Sequence, residues 1–190
     1  YGSDTVLSHF SYTFEKGFIY GITAPSGTGK TTLLNLIGNI LKPAQGEIET
    51  DFKTGIAYVF QEPELLSQLT IAENIALPLA AYLKKEIAFE QAISILQKME
   101  LDGFENRFPN ELSFGQQQRA AIARALAYPS PLLLMDEPFK GLDEALSRRI
   151  IKRIRERQTE NGQTILFTSH NPGELRLFAD KTVRLDPTSH

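Results

Sequence analysis

A glycine-rich segment near the start of the chain has the residue types of a phosphate-binding loop. Residues 24–31 read APSGTGKT and lie between a predicted strand and a predicted helix. Gly27 and Gly29 allow the backbone to curl until its N–H groups, together with the helix N-terminus, face an anion. Lys30 is predicted to neutralise the β- and γ-phosphates, and Thr31 to place its hydroxyl on Mg²⁺. A plain turn would need neither side chain, so this segment predicts nucleotide binding.

One residue of the loop departs from the usual P-loop pattern. Ala24 occupies the position where the pattern begins with glycine. Its methyl group is tolerated if the residue has a negative φ and is costly if φ is positive.

Two acidic residues end an apolar segment later in the chain. Leu132–Met135 is predicted to be a buried strand, followed by Asp136 and Glu137. Ligands of parallel sheets gather at the carboxyl ends of the strands. Asp136 is therefore predicted to hold Mg²⁺, and Glu137, which points differently, to activate the attacking water as general base. A solvated pair of acids is the alternative, and the nearby need for a metal ligand favours the first interpretation.

Short apolar runs alternate with helical patterns outside the middle of the chain. Strands are predicted at 18–22, 56–60, 132–135 and 164–167, and helices at 30–41 and 144–160. This alternation predicts an α/β fold with a mostly parallel sheet. Residues 62–127 carry no clear strand but show helical periodicity, as in Ala92, Ile95, Leu96 and Met99. We therefore expect a helical lobe inserted into the sheet domain.

Composition limits the kinds of partner. The chain has 20 basic and 23 acidic residues and a net charge of −3, which argues against binding nucleic acid or anionic lipid through bulk charge. It has no cysteine, so disulfides and thiolate metal sites are excluded. The longest apolar stretch, Ile75–Leu83, is too short to span a bilayer, so a membrane role would need a partner. No signal peptide is visible. The sequence begins at Tyr1 without a methionine, which leaves open whether native N-terminal residues are missing.

Further motifs resemble those of the ATP-binding cassette (ABC) ATPases. Leu112–Arg119 (LSFGQQQR) resembles the signature motif, and Gln61 looks like the Q-loop glutamine. Gly141-Leu142-Asp143 resembles the D-loop, Thr168-Ser169-His170 the switch-histidine segment, and Tyr1-Gly2, before a strand at Val6-Leu7, the adenine-stacking A-loop. The resemblance covers nearly the whole chain. Pro109–Ser113 and Arg119–Leu126 look most like bacterial importers, and Val59–Leu79 is similar to the nitrate, sulfonate and taurine importer branch.

The resemblance implies a P-loop NTPase fold with a small antiparallel β part near the N-terminus. It implies one ABC ATPase domain over residues 1–190, with a RecA-like core at 1–61 and 128–190 and a helical lobe at 62–127. The implied cofactors are ATP and Mg²⁺. The implied catalytic residues are Glu137, His170 and Gln61, and the metal site is Thr31, Gln61 and Asp136. The implied ATP contacts are Tyr1, Ser26, Gly27, Thr28, Gly29, Lys30, Thr31 and Thr32. Signature residues Ser113, Gly115 and Gln116 would face a partner's ATP, with Asp143 in the D-loop.

The family also implies an assembly. We expect a homodimer, or a heterodimer with another ABC ATPase, bound to transmembrane permease subunits at the cytoplasmic face of the membrane. An extracytoplasmic solute-binding protein is an expected partner, and nucleic acid is not. Two alternatives stay open: a catalytically weak regulatory subunit of a heteromeric complex, and a non-transport ABC ATPase acting on nucleic acid.

Two signature-related positions depart from the family pattern. Phe114 replaces the usual glycine, and Lys140-Gly141 replaces the usual small pair before the D-loop leucine. Phe114 would put a bulky ring where a partner's phosphates are expected to approach. Non-functional interpretations also stay open. Gln61 could be an ordinary surface residue, His170 could cap the next helix, and Tyr1 could belong to a disordered terminus.

Overall fold

Five strands form a single sheet that carries the predicted phosphate loop and acidic pair. In this computed structural model the described residues are 7, 10–25, 27–50 and 55–185. The strands are β1 Ile19–Thr23, β2 Ala57–Val59, β3 Leu132–Asp136, β4 Thr164–Thr168 and β5 Lys181–Arg184. They lie in the order β2-β3-β4-β1-β5, and the β3/β4, β1/β4 and β1/β5 pairs are parallel. The predicted α/β fold with a parallel sheet is confirmed.

The central strands are buried along their whole length, as continuous apolar sequence predicts. Every residue of β3 and β4 is buried. Their register pairs Leu132 with Thr164 and Asp136 with Thr168. Because the strands run parallel, the polar residues that end them meet at one edge of the sheet.

Six α-helices and one short 3-10 helix, Pro109–Glu111, complete the secondary structure of the described residues. They are α1 Lys30–Ile37, α2 Ile71–Leu79, α3 Lys85–Lys98, α4 Phe114–Ala127, α5 Glu144–Asn161 and α6 Pro172–Phe178. The first is shorter than the predicted 30–41. It ends at Ile37, with Gly38 as the C-cap. Asn39 then takes a φ of +57°, and the N–H groups of Ile40 and Leu41 both donate to the Asn35 carbonyl. These backbone hydrogen bonds replace the helical pattern, so the helix ends well before Pro43.

Two compact units divide the described chain. The sheet unit comprises the described residues of 1–58, 130–137 and 155–190, and the helical unit comprises 59–129 and 138–154. The predicted division into 1–61, 62–127 and 128–190 stays a prediction. Residues 62–127, all of which are described, contain no strand. Two of the helices in this range begin at side-chain caps, since Thr70 forms a capping box at the start of α2 and Ser113 forms one at the start of α4.

The expected antiparallel part near the N-terminus falls largely outside the described residues. Val6 and Tyr1 are among the residues not described, and residues 10–18 carry no strand. Among the described residues, no helix has the length and apolar character needed to cross a bilayer.

Candidate active site

The phosphate loop follows β1 and requires two left-handed backbone positions. Gly27 has a φ of +79°, and Gly29, which precedes the first residue of α1, has a φ of +89°. A Cβ added at Gly27 would meet no atom within 4 Å. The backbone conformation, rather than a lack of space, therefore requires glycine there. Ser26 lies outside the described residues.

Side chains of the loop fasten it to its own carbonyl groups. The Lys30 amino group lies 3.0 Å from the Ala24 carbonyl oxygen and 3.5 Å from that of Pro25. The Thr28 hydroxyl donates to the Pro25 carbonyl at 2.6 Å. Lys30 thus lies along the loop whose anion site it is predicted to serve. Thr32, another predicted ATP contact, is half-buried on α1.

Ala24 fits the loop despite departing from the pattern. It is not among the described residues with positive φ, so its methyl group meets no left-handed strain. The residue is buried and belongs to the core cluster that includes Ile22 and Leu33. The methyl group adds to the core instead of obstructing the turn.

Asp136 is held by hydroxyl groups on both sides. The Thr31 hydroxyl donates to its Oδ2 at 2.6 Å, and the Thr168 hydroxyl to its Oδ1 at 2.5 Å. The carboxyl group is almost fully buried, with the residue 2% exposed. Hydroxyl and carboxylate oxygens are ligands that Mg²⁺ accepts, usually from one or two protein groups alongside water and phosphate. Thr31 and Asp136 fit that requirement.

The negative charge of Asp136 also affects a neighbouring tyrosine, Tyr58. Burial, and secondarily the negative charge of Asp136, raise the pKa of the Tyr58 hydroxyl. That hydroxyl donates to Asn35 Oδ1 at 2.9 Å, which satisfies it on the α1 side. Tyr58 therefore stays a neutral donor beside the carboxylate.

Glu137 adopts an uncommon backbone conformation. Its φ is +44°, one of three positive values among the described non-glycine residues. Its N–H donates to the Thr168 hydroxyl at 2.9 Å. Such local strain clusters at functional sites and persists where neighbours hold it in place. Thr168 therefore fixes both the preceding carboxylate and the turn that redirects Glu137.

His170 faces the carboxylate of Glu137. Its Nδ1 lies 3.2 Å from Glu137 Oε1, and the His170 side chain is 73% exposed against 19% for Glu137. The cap of α6 is provided by Asn171, whose Oδ1 accepts the Gly173 N–H at 2.8 Å. Ser169 is buried and donates to Glu174 Oε2 at 2.5 Å, which anchors the loop between β4 and α6.

The remaining predicted residues belong to the helical unit. Gln61 is exposed. Ser113 and Gln116 pair with each other: Gln116 Oε1 accepts the Ser113 N–H at 2.9 Å, and the Ser113 hydroxyl accepts the Gln116 N–H at 3.4 Å. Asp143 Oδ1 accepts the Leu146 N–H at 2.9 Å, at the start of α5. A Cβ at Gly115 would lie 2.8 Å from the Gly141 carbonyl oxygen, so this glycine permits a close backbone approach.

Within the sheet unit, the structure brings together four predicted residues: Thr31, Asp136, Glu137 and His170. Thr168 is the residue that sequence reasoning missed, because it entered only as a neighbour of the histidine. The sequence did carry a signal for Thr168, because it is a polar residue at the end of an apolar strand, as Asp136 is. Only the strand order and register reveal that the two are partners.

Comparisons with known proteins identify the family of this chain. The family model described as ABC transporter matches residues 7–140. The thiamine import ATP-binding protein ThiQ of Shigella flexneri serotype 5b is 38% identical over 184 residues, which are 92% of this chain and 79% of that protein. ThiQ of Escherichia coli O157:H7 gives the same identity and coverage.

Solved structures give the same result. A dimeric post-hydrolysis state of the ATP-binding cassette MJ0796 with ADP and Pi has a TM-score of 0.88 and 34% identity, and covers 95% of this chain and 86% of that one. A dimeric structure of MJ0796, described as a bacterial ABC transporter cassette, has a TM-score of 0.89 and 32% identity, with 97% and 89% covered. With its phosphate loop and acidic strand end, the chain belongs to the ABC transporter family, as an ATP-binding subunit that hydrolyses ATP to drive transport.

Proposed function

We propose that this chain powers solute import and that its hydrolytic centre is the group formed by Thr31, Asp136, Glu137, Thr168 and His170. One observation carries the assignment. Glu137 is held at a positive φ by Thr168, with its carboxylate 3.2 Å from His170, and it directly follows Asp136, which Thr31 contacts. A base held beside a candidate metal ligand and a phosphate loop is what ATP hydrolysis requires.

Each residue has a role that follows from its contacts. The loop N–H groups and Lys30 would bind the phosphates of ATP, with Ser26, Thr28 and Thr32 lining the same segment. Thr31 and Asp136 would hold Mg²⁺, which when bound neutralises phosphate charge. Glu137 would accept a proton from the attacking water.

The imidazole of His170 would steady the carboxylate of Glu137, which lies within hydrogen-bond reach of it. Phosphoryl transfer depends mainly on positioning and charge neutralisation, and these residues supply both.

A second copy or a related ATPase would complete the site. Ser113 caps α4, and Gly115 and Gln116 lie in its first turn, where a helix N-terminus favours an anion. Asp143 directly precedes α5. They are proposed to address the partner's ATP, with Gln61 as the residue that senses the metal and the membrane subunits. Tyr1 is proposed to stack on adenine, although it lies outside the described residues. The dimeric state of MJ0796 supports this arrangement.

The proposed transport system comprises permease subunits and an extracytoplasmic solute-binding protein. The chain would associate peripherally with the cytoplasmic face through the permease. Thiamine is the first cargo to test, because the ThiQ relatives are described as thiamine import proteins. The similarity of 59–79 to the nitrate, sulfonate and taurine branch is not confirmed by these relatives, and those solutes are the second set to test.

Reconstitution would test the function. The chain should be combined with its permease and binding protein in proteoliposomes, and thiamine, taurine and nitrate uptake measured with ATP present. Uptake of one solute that stops with Glu137→Gln supports the import proposal. An ATP turnover rate that does not change when the permease is present would instead favour the nucleic-acid alternative. That alternative can be checked by measuring turnover with added DNA or RNA. Binding without turnover would favour the regulatory subunit.

A further inference from the structure

The departures from the ABC pattern at Phe114 and at Lys140-Gly141 contact each other. Phe114 is half-buried at the first residue of α4, and the Lys140 amino group lies 5.6 Å from its ring centroid. A Cβ added at Gly141 would lie 2.7 Å from Phe114 Cδ1. The phenyl ring therefore fills the space directly over Gly141, in the chain's own turn.

The turn beneath the ring is tightly defined. The Leu142 N–H donates to the Phe139 carbonyl at 3.1 Å, and Gly141 has a φ of +79° at the third position. This combination is typical of a type II turn, which favours glycine there. The backbone conformation and the Phe114 ring each exclude a side chain at Gly141. Asp143 follows directly, so the turn sets where α5 begins.

Lys140 makes a second contact. Its Nζ lies 3.0 Å from Glu62 Oε1, so one ammonium group joins the ring of Phe114 to the residue that follows Gln61. The Lys140 and Glu62 side chains are 40% and 67% exposed. Exposed pairs of this kind are weak and are screened by salt. Here the contacts matter for geometry, because the Lys140 side chain links its own turn to the start of α4 and to the segment at Glu62.

We infer that Phe114, Lys140 and Glu62 are positioning residues for ATP hydrolysis. They hold the start of α4 against the turn at 139–142, which fixes Gly115 and Asp143 relative to each other. The close approach of Gly115 to the Gly141 carbonyl is part of the same contact. This inference rests on the proposed partner-directed roles of Ser113, Gly115 and Asp143. It assigns the two departures a joint role, because the Phe114 ring and the Lys140 ammonium group contact each other beside Gly141.

A double-mutant cycle tests the inference in the full chain. Phe114→Leu and Lys140→Met should each lower kcat about two- to fivefold, as expected for losing one exposed cation–π contact. The Kd for Mg²⁺–ATP, measured with a fluorescent analogue, should not change, because the phosphate loop belongs to the sheet unit. The double variant should be no slower than the slower single variant. Phe114→Tyr keeps an aromatic ring and should turn over ATP at the wild-type rate. Effects that multiply in the double variant would overturn the inference.

Controls separate positioning from general damage. Arg107→Met removes a comparable exposed ion pair, 2.9 Å to Glu111, in the same unit and should leave kcat unchanged. If Phe114→Leu fails to fold by circular dichroism, the cycle is run on Lys140→Met and Glu62→Gln, where the double variant must again match the slower single one. Normal turnover in Lys30→Ala would refute the proposed site itself, whereas multiplicative effects with an inactive Lys30→Ala would refute only the positioning contact.

Discussion

Thr168 shows at residue scale how one side chain can organise the proposed hydrolytic centre. Its hydroxyl donates to Asp136 and accepts the N–H of Glu137, and the residue is fully buried. A hydroxyl can do both because it has one donor and two acceptor lone pairs. No other natural side chain of this size except serine can replace it.

We expect Thr168→Val to lower kcat strongly. The isosteric change removes both hydrogen bonds and leaves the buried Asp136 with one partner fewer, which should cost about 1–3 kcal/mol of stability. Thr168→Ser keeps the hydroxyl and should retain most activity. Steady-state turnover and the midpoint of thermal unfolding would check both variants. A fully active Thr168→Val would show that the turn at Glu137 does not need its partner.

We expect Lys30→Ala to abolish turnover and weaken ATP binding. Among the described residues, the Lys30 amino group donates hydrogen bonds to two loop carbonyls, so stability should change little. Lys42→Ala, an exposed lysine beyond α1, is the matched control. Equilibrium binding and ATPase rates measure the effect, and near-normal rates in the purified Lys30 variant would contradict the assignment of the phosphate loop.

At the scale of elements, the helical unit is tied together at the end of α3. Glu100 takes a φ of +55° just after the helix, and Leu101 and Glu100 donate to the Leu96 and Gln97 carbonyls in the pattern of a Schellman motif. Glycine is usual at that position, so Glu100 carries some backbone strain. Its carboxylate is bound by Arg149 through two hydrogen bonds and also lies 3.1 Å from Arg153. The ion pairs offset the strain and join α3 to α5.

This cluster predicts an acid-sensitive contribution to stability. The hydrogen bonds from Arg149, with the charges of Arg149 and Arg153, lower the pKa of Glu100. A carboxylate with a lowered folded-state pKa stabilises the protein fully above its unfolded value of about 4.3, and that stability is lost as the pH falls through the lowered pKa.

We expect Glu100→Gln to reduce the urea midpoint at pH 7 and to flatten its fall between roughly pH 5 and 3. Glu90→Gln, at an exposed site on α3, is the control and should follow the wild type. An unchanged slope in Glu100→Gln would mean that the arginine cluster does not couple to folding.

The whole molecule is expected to work as a pair. Glu137→Gln keeps the side chain's size but cannot act as a base, so ATP should persist and hold two subunits together. Light scattering should then show a dimer with Mg²⁺–ATP and a monomer after EDTA. Asp136→Asn should not form this trapped dimer, because it loses a metal ligand. A Glu137→Gln protein that stays monomeric would point to a heteromeric partner.

Ser113→Ala should weaken that trapped dimer, but Ser113 also caps α4, which is worth about 1 kcal/mol. Thr70→Ala provides the matched control, since Thr70 forms the same capping box at the start of α2. Both variants should lose similar stability, whereas only Ser113→Ala should lower the dimer fraction. Equal dimer losses would reduce the role of Ser113 to helix capping.

The sequence by itself determined the elements and the chemistry of the local motifs. The buried strands around Leu132–Asp136 and 164–168 follow from continuous apolar runs, and the loop at 24–31 follows from local spacing of glycine, lysine and threonine. Local patterns suffice there because backbone φ, hydrophobic periodicity and helix capping depend on near neighbours in the sequence. The end of α1 was placed four residues too late, since the carbonyl of Asn35 takes two later N–H groups that periodicity does not reveal.

The tertiary structure decided which of these residues meet. The order β3-β4-β1 sets Asp136 beside Thr168, residues 32 positions apart, and brings Thr31 to the same carboxylate from 105 positions away. It also placed Phe114 on Gly141, which turned two separate departures from a pattern into one contact. Strand order and helix packing are set by burial over the whole unit, and the sequence pattern of any one element carries no record of its neighbour.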